Sequence, residues 1–289
     1  QICLDNNIKL KELSFSENDF WDLIFLAAEK IDEPVADYAI LPTLKLSKKA
    51  SKEFKVVLTG EGGDELFGGY GRYKKVQRLL FKGRDLKETF NSGTFFKKLQ
   101  KKNNDFENKT HYFDFKNTTK LKQKQLFDYK NWLPNDLLIK LDRCLMAFSL
   151  EGRTPFIDKN MFSNFFFVDD NLKIKSGFGK FYVRHFLKRN LKNYNSFSPK
   201  KGFTIPINEW IPKKIDLIKK NLLKLDFLFL FFTEKEIIFL CDEVKNDKKL
   251  SKSIWHIIFF SSWYLIHIEG IKERGNYFEV LKKVNEYKK

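Results

Sequence analysis

The stretch that decides the fold joins an apolar triplet to a turn rich in glycine and acids. It reads Lys55-Val56-Val57-Leu58-Thr59-Gly60-Glu61-Gly62-Gly63-Asp64-Glu65-Leu66-Phe67-Gly68-Gly69-Tyr70. The β-branched apolar run at 56–58 predicts a short buried strand. The glycines at 60, 62 and 63 carry no Cβ, so the backbone can turn sharply there and approach a ligand closely. The stretch therefore predicts a strand that ends in a turn open to a ligand.

Three carboxylates lie in or just after this turn, namely Glu61, Asp64 and Glu65. Asp64 and Glu65 are expected in the first turn of a following helix, where free N–H groups and the helix dipole stabilise negative charge. Glycine-rich turns between a strand and a helix often bind phosphate directly, but acids stand here where such loops carry Lys and Ser or Thr. A bound nucleotide would need a divalent metal between its phosphates and the carboxylates, and hard oxygen ligands suit Mg²⁺. The alternative is a tight turn whose acids only cap the helix.

The order of residues in this turn favours nucleotide chemistry. Residues 59–70 closely resemble the Ser-Gly-Glu-Gly-Ser-Asp-Glu-Leu-Phe-Gly-Gly-Tyr signature of glutamine-dependent asparagine synthetases, in one register without a gap. The resemblance implies an α/β fold of the adenine-nucleotide α-hydrolase-like type, that is, a pyrophosphatase-loop ATPase domain. Such a domain would here combine a partial parallel sheet with a large helical C-terminal part.

The residues before the strand agree with this resemblance. Ser16, followed by Glu17 and Asp19, predicts a capped amphipathic helix to about Lys30. A Glu-Pro turn at 33–34, a further proline and a short helix then lead to the strand, as they do in the family.

A second block of the resemblance begins with an apolar stripe at helical spacing from Leu137 to Met146. It continues through Ser149-Leu150-Glu151-Gly152-Arg153-Thr154-Pro155-Phe156-Ile157-Asp158. The block resembles the family motif Asp-Arg…Ser-x-Glu-x-Arg-x-Pro-Phe-x-Asp, which lines the synthetase pocket. The resemblance assigns four residues to that pocket: Asp142, Arg143, Glu151 and Arg153.

From the residues alone, these four charged side chains could equally form a partly buried ion-pair network, since buried charges must be paired. Three positions in the block depart from the family pattern. Phe148, Gly152 and Thr154 stand where the family commonly has His, Val and Val. These departures concern the shape of the pocket rather than membership of the family.

A third block carries two basic motifs. Gly179-Lys180-Phe181-Tyr182-Val183-Arg184 predicts an amphipathic helix to about Leu191 and is similar to the family's Lys-x-x-(Leu/Val)-Arg helix. The loop Ser198-Pro199-Lys200-Lys201-Gly202-Phe203-Thr204-Ile205-Pro206 is similar to the family's Pro-Lys-x-Gly-Phe-x-x-Pro. This match assigns Lys200 as the lysine that reaches the phosphates, because Lys201 falls on the variable position. Without the resemblance the loop would be an ordinary exposed turn.

The resemblance implies ATP-dependent conversion of aspartate to asparagine through β-aspartyl-AMP, with Mg²⁺ and with ammonia derived from glutamine. Asp64 would hold Mg²⁺ and pyrophosphate, and Lys200 would stabilise charge on the α-phosphate and the leaving group. Glu61 would take the proton that the attacking ammonia loses. Thr59 and Gly60 would contact the nucleotide. For Glu65, a place in the pocket and a helix-capping role both remain open.

Two parts expected of the family are not found in this sequence. One is the Ser-Gly-Gly-x-Asp-Ser pyrophosphate loop, and the other is the N-terminal glutaminase domain with its cysteine nucleophile. The first residue is Gln rather than Met. We therefore expect residues 1–289 to form one incomplete asparagine synthetase domain of a longer protein, and we expect the fragment alone to be inactive. The resemblance is compatible with a homodimer.

Composition and charge limit the kinds of protein and of partner that the sequence allows. A hydrophobic content of 43% is typical of a packed domain, and the formal net charge is +17. Lysine greatly outnumbers arginine, whereas proteins that read bases rely on arginine, so a nucleic-acid partner is not expected. The three cysteines are widely spaced and form no CxxC pattern, which favours a reducing cytoplasm. The most apolar run, Ile254 to Ile268, is too short for a bilayer and predicts a buried helix, so no membrane is expected.

Two other functions remain open. One is an asparagine-synthetase-like amidotransferase that acts on another carboxylate, or a lactam-forming cyclase. Glu61 argues against the related β-lactam enzymes, which carry Tyr at that position. The other is a non-catalytic polyanion-binding module, which would not need Glu61, Asp64 and Lys200. The stretch from Lys82 to Lys130 predicts short helices and a mobile connection, without a site.

Overall fold

Helices prevail in the part of the chain that the computed structural model describes, which comprises residues 2–34, 37–77, 118–191, 193–199 and 204–287. The α-helices are α1 Ile2–Asp5, α2 Glu17–Lys30, α3 Ile40–Ala50, α4 Gly63–Phe67, α5 Gly71–Gln77, α6 Lys120–Phe127, α7 Ile139–Met146, α8 Lys159–Phe165, α9 Asp170–Lys173, α10 Phe181–Asn190, α11 Ile207–Lys213, α12 Ile215–Leu222, α13 Glu234–Glu243, α14 Ser251–His267 and α15 Tyr277–Tyr287. A π-helical segment, Asp128–Leu138, joins α6 to α7. The strands are β1 Val56–Leu58, β2 Glu151–Arg153, β3 Ile174–Lys175 and β4 Phe178–Gly179.

The largest core lies among the helices, where α2 packs against α3, α14 and α15. Aromatic side chains fill its centre, with Phe20, Trp21, Phe25, Trp255 and Phe259 all at most 1% exposed. Burying one large apolar side chain stabilises a fold by roughly 1.5–3 kcal/mol. The predicted buried helix at 254–268 is therefore confirmed as α14. Among the described residues, none of the helices combines the length and hydropathy needed to cross a bilayer.

The predicted start of α2 is also confirmed. The Ser16 hydroxyl accepts a hydrogen bond from the Asp19 backbone N–H, and the Asp19 carboxylate accepts one from the Ser16 N–H at 2.8 Å. This reciprocal cap satisfies two donors that the helix itself leaves free.

β1 and β2 form a parallel pair in which Val56 is opposite Glu151 and Leu58 is opposite Arg153. The prediction of a strand at 56–58 is confirmed, but the prediction that it is buried is wrong. Val56 is 40% exposed and Leu58 is 74% exposed. The physical reason is that β1, among the described residues, pairs with β2 alone and so has one uncovered edge.

The apolar stripe at 137–146 is helical, although the helical path begins earlier than its spacing predicts. Helical turns run from α6 through the π-helical segment into α7, with Pro134 inside. Proline lacks the N–H group that an α-helix needs, and a wider π-helical turn accommodates such a break. The predicted short helices in 82–130 are confirmed only for α6, because residues 78–117 lie outside the described residues.

β3 and β4 form a short antiparallel hairpin directly before α10. Ser176 and Gly177 both have positive φ, at 51° and 78°, as tight two-residue hairpin turns require. The hairpin ends at Gly179, so it fixes where the predicted helix α10 begins.

Candidate functional site

The glycine-rich turn after β1 is held by its neighbours on both sides. The Thr59 N–H donates to the Arg153 carbonyl of β2 at 2.8 Å. Gly62 has a φ of 84°, and a Cβ there would overlap the Ile157 side chain. Gly60, in contrast, has open space where a Cβ would lie. Packing among the described residues therefore explains the glycine at 62 but not the glycine at 60.

The hydroxyl of Thr59 is a second feature of this turn that internal packing leaves unexplained. Its Oγ1 atom is buried, yet no described residue forms a hydrogen bond with it. Buried polar atoms are nearly always paired in folded proteins. Together with the open space beside Gly60, this oxygen makes the turn suited to a bound polar ligand.

Glu61 lies half-buried in the turn. Burial raises its pKa, and the carboxylates of Asp64 and Asp37 raise it further, while the ammonium groups of Lys140 and Lys180 oppose the shift. A carboxylate whose pKa is raised in this way is a stronger base than an exposed one. The turn thus presents a proton acceptor beside two cations.

Asp64 lies in the first turn of α4, as predicted, and its carboxylate lies 3.2 Å from the Lys180 ammonium. The close approach of Gly68 and Gly69 to Gly179 makes this possible. A Cβ on Gly69 would overlap the Asp64 carboxylate and lie against Lys180, and a Cβ on Gly179 would overlap the Gly68 carbonyl. Lys180 itself has a φ of 55°, which non-glycine residues seldom adopt, and its N–H donates to the Phe67 carbonyl.

Glu65 also lies in the first turn of α4, but its side chain points into the protein and is 1% exposed. The Tyr70 hydroxyl donates to its carboxylate at 2.7 Å. Burial raises the pKa of Glu65 despite this hydrogen bond. This position leaves the Glu65 carboxylate little contact with solvent, and its two possible roles, in the pocket or as a helix cap, both stay predictions.

A buried ion pair lies next to Glu61. The Lys140 ammonium of α7 donates to the Asp37 carboxylate, which precedes α3, at 2.6 Å. Burial alone would lower the pKa of Lys140, but Asp37, Glu61 and Asp136 raise it above its usual value. Burial and the nearby Asp37 raise the pKa of Asp136 to about 6. Lys140 therefore stays protonated around neutral pH, whereas the Asp136 carboxyl loses most of its proton as the pH rises above about 6.

The four charged residues of the second block do not form the partly buried network that their sequence could have indicated. Asp142, Arg143, Glu151 and Arg153 have side chains 44–63% exposed. Arg143 pairs with Asp142 at 3.3 Å and also with Asp32, while Arg153 pairs with Glu151 at 2.8 Å. Glu151 and Arg153 are exposed because β2, like β1, pairs with one strand alone in the described part of the chain, whereas Asp142 and Arg143 lie on an exposed face of α7.

Lys200 lies outside the described residues, but the loop that leads to it is held by Arg184 of α10. The Arg184 guanidinium donates to the carbonyls of Gly179 at 2.9 Å and Ser198 at 3.0 Å, and also to that of Ser196. Arg184 therefore connects the start of the basic loop to the hairpin end that carries Lys180.

The described residues contain no group of three or more acids, histidines or cysteines arranged to hold a metal ion. Mg²⁺ is commonly held by one or two carboxylates together with substrate phosphates and water. Asp64, half-buried at the mouth of the turn beside Glu61, provides such a carboxylate. The donor set fits a metal that arrives with a nucleotide rather than one held by protein alone.

Comparison with known proteins decides the family. The family model described as asparagine synthase matches residues 3–265. The chain belongs to the asparagine synthase family. The match includes the turn at 59–70, both basic motifs and most of the helical core.

Three relatives illustrate the extent of the match. The chain is 27% identical to asparagine synthetase [glutamine-hydrolyzing] 1 of Bacillus subtilis (strain 168), over 82% of this chain and 44% of that protein. It is 30% identical to a putative asparagine synthetase [glutamine-hydrolyzing] of Mycobacterium tuberculosis (strain ATCC 25618 / H37Rv), over 63% of this chain and 34% of that one. It is 46% identical to putative asparagine synthetase [glutamine-hydrolyzing] 2 of Methanocaldococcus jannaschii, over 23% of this chain and 13% of that one. The chain thus spans less than half the length of these curated relatives.

Three residues of this candidate site have no role assigned by the sequence: Lys180, Lys140 and Asp37. Lys180 stands in the sequence as the lysine of a family helix motif, without an assigned role, and its αL backbone is not visible in a sequence. The position of Lys140 indicates a buried pair, because a lysine within the apolar stripe of a helix must either point to solvent or find a buried partner. Its partner Asp37 could not be named, since nothing local connects the two.

Proposed function

We propose that this chain is the amide-forming part of an ATP-dependent asparagine synthetase, with aspartate as the acceptor. The observation that supports the proposal is the arrangement at the 59–64 turn. A half-buried carboxylate of raised pKa, Glu61, lies near a second carboxylate, Asp64, which is itself paired with the cation Lys180. Carboxylate activation followed by amination requires a proton acceptor and a cation that can stabilise phosphate charge.

In the first step, a side-chain carboxylate oxygen of aspartate attacks the α-phosphorus of ATP. A new P–O bond forms, the bond to pyrophosphate breaks, and the leaving group departs with the electron pair, giving β-aspartyl-AMP. Lys180, and Lys200 from its loop, would stabilise the negative charge that builds on these oxygens, a contribution of about 3–4 kcal/mol per preorganised donor. Mg²⁺ held in part by Asp64 would add positive charge at the pyrophosphate.

In the second step, the ammonia nitrogen attacks the acyl carbon, the C–O bond to AMP breaks, and AMP leaves. The nitrogen then loses a proton, and Glu61 is the group that would accept it. Its neighbours suit this role, because burial and the nearby Asp64 and Asp37 raise its affinity for a proton. Thr59 would hold the nucleotide through its unpaired buried hydroxyl, and Gly60 would let it approach the backbone. Glutamine is the proposed source of the ammonia.

The Lys140–Asp37 pair supports Glu61 in this scheme. It joins α7 to the segment before α3, and its ammonium keeps the Glu61 carboxylate from being protonated too readily. Substrate would contact the exposed ion pairs of the second block only at the rim of the site. These pairs are formed by Asp142, Arg143, Glu151 and Arg153.

The complete product of the gene that encodes this chain is the right material for the test. We would measure aspartate-dependent pyrophosphate release and asparagine formation with Mg-ATP, supplying ammonium or glutamine. Both products together would support the proposal. A matched variant, Glu61→Gln, separates the two steps.

The alternatives give different results in the same assay. Pyrophosphate release that depends on another carboxylic acid would indicate an amidotransferase with a different acceptor. No turnover, together with RNA binding that weakens steeply with salt, would indicate a polyanion-binding module. Either result would overturn the assignment of aspartate.

A further inference from the structure

Helix α4 is too short to satisfy its own C-terminal carbonyls. It has five residues, and the last four carbonyls of any α-helix lack partners within that helix. The Asp64 carbonyl accepts from the Gly69 N–H at 2.8 Å, and the Phe67 carbonyl accepts from the Lys180 N–H at 3.1 Å. The carbonyls of Glu65 and Leu66 must find donors elsewhere.

One side chain supplies both donors. The Gln125 amide, from α6, donates through Nε2 to the carbonyls of Glu65 and Leu66, the latter at 3.0 Å. Gln125 is fully buried. Its amide can act in this way only if its nitrogen, and not its oxygen, faces α4, because two carbonyl oxygens cannot accept from an oxygen.

The orientation of that amide is set by a buried lysine. The Lys173 ammonium, at the end of α9, donates to Gln125 Oε1 at 3.0 Å and also to the Phe166 carbonyl. The ammonium also lies 4.6 Å from the centre of the Phe166 ring. Since an ammonium can only donate, the Gln125 oxygen must face Lys173, and the nitrogen is left to face α4.

We propose that Lys173 and Gln125 act as a positioning relay that fixes the backbone of α4, and through it the place of the Asp64 carboxylate. Gln125 acts on α4 through the backbone carbonyls of Glu65 and Leu66, and Lys173 acts through Gln125. Lys173 is fully buried, and the charged groups that act on it are Lys122 of α6 and Asp170 of α9. That the relay orders α4 follows from these hydrogen bonds. The expected effect of this order on nucleotide binding rests on the proposed function.

A glutamine-to-glutamate exchange tests the relay directly. Gln125→Glu keeps the size of the side chain and offers Lys173 an anionic partner, but it replaces the two N–H donors with an oxygen. The contact with Lys173 would be kept or strengthened in this variant, whereas the two hydrogen bonds to the α4 carbonyls would be lost. The matched control is Gln123→Glu on the same helix, because the Gln123 amide contacts the Thr118 carbonyl instead.

The first readout is the rate of backbone amide hydrogen exchange in this chain, and it is compared between residues 63–69 and α14. We expect Gln125→Glu to speed exchange in 63–69 by about tenfold with α14 unchanged, since a buried carbonyl left without a donor makes local opening of this segment easier. Lys173→Met should speed it less, because the freed amide can still face α4. Gln123→Glu should leave both segments as in the wild type.

The second readout is the KM for Mg-ATP in pyrophosphate release by the complete gene product. We expect about a tenfold rise for Gln125→Glu with a smaller change in kcat, which general destabilisation does not give. Unchanged exchange in 63–69, or equal acceleration in 63–69 and α14, would overturn the relay. Faster exchange in 63–69 without any aspartate-dependent activity in the wild type would uphold the relay and overturn the proposed function instead.

Discussion

The Lys180 ammonium lies 3.2 Å from the Asp64 carboxylate, and this pair joins the β3–β4 hairpin to the helix that follows the glycine-rich turn. The contact depends on glycine at three positions, because Gly68 and Gly69 meet Gly179 backbone to backbone. The final Gly-Gly of the family signature therefore has a packing reason. It allows a lysine from another part of the chain to reach the first acid of α4.

Replacing Lys180 tests whether this lysine serves the phosphates or only neutralises Asp64. We expect Lys180→Met to slow pyrophosphate release by the complete gene product about a hundred- to a thousandfold, since a preorganised donor to developing charge is worth about 3–4 kcal/mol. The measurement is single-turnover pyrophosphate release at saturating Mg-ATP. Lys175→Met, on the same hairpin and exposed, is the control. A normal rate with tighter Mg²⁺ binding would instead show that Lys180 is only a counter-ion.

Gly69→Ala tests the close approach itself. The atoms that an added Cβ would meet are the ends of the Asp64 and Lys180 side chains, which can swing away, so we expect little loss of stability. We expect the affinity for Mg-ATP to fall about tenfold or more, because the carboxylate must leave its place. Gly71→Ala is the matched control, since a Cβ there meets nothing within 4 Å. Titration of Mg-ATP against each variant, with thermal unfolding alongside, checks both expectations; similar affinities for the two variants would contradict them.

The local parts of this site could be predicted from the sequence, whereas its long-range pairs could not. Strand β1, the turn and the first turn of α4 follow from β-branched residues, glycines and acids that are neighbours in the chain. Lys180 with Asp64 and Lys140 with Asp37 are brought together only by the fold, so spacing carries no record of them.

Two other features of the structure could not be predicted from the sequence for the same reason, because they depend on contacts between distant parts of the chain. The exposure of Leu58 depends on whether a further strand lies beside β1, which a three-residue apolar run cannot tell. Gln125 and Lys173 carry no signal in the sequence as single polar residues, although together they satisfy the carbonyls at a helix end. The roles of Lys200 and of the exposed charged pairs stay predictions.

Glu61→Gln separates amide formation from activation. If Glu61 is the base that takes the proton from ammonia, the variant should keep most of its aspartate-dependent adenylate formation while asparagine formation falls about a hundredfold or more. Positional exchange of labelled oxygen in ATP reports the first step, and asparagine yield reports the second. Lys200→Ala should instead abolish pyrophosphate release. Equal losses of both steps in Glu61→Gln would remove the base assignment.

The buried ammonium of Lys173 gives the fold a pH dependence with a definite sign. Burial lowers the pKa of Lys173 to about 8, from the usual 10.5. Between these values the unfolded chain binds more protons than the folded one, so the free energy of unfolding gains a contribution that rises with pH from about 8 to about 10.5. Below pH 8 this lysine is charged in both states and its burial is a constant cost. We expect Lys173→Met to remove the rise, which amounts to at most about 3 kcal/mol. Urea unfolding of both proteins at pH 7, 8.5 and 10 gives the difference between their free energies of unfolding. Burial also raises the pKa values of Tyr70 and Tyr73, but both proteins contain these tyrosines, so their contributions cancel in the difference. A difference that stays constant over this range would mean that Lys173 keeps an ordinary pKa, and hence that its ammonium is better solvated than its burial among Gln125 and Phe166 indicates.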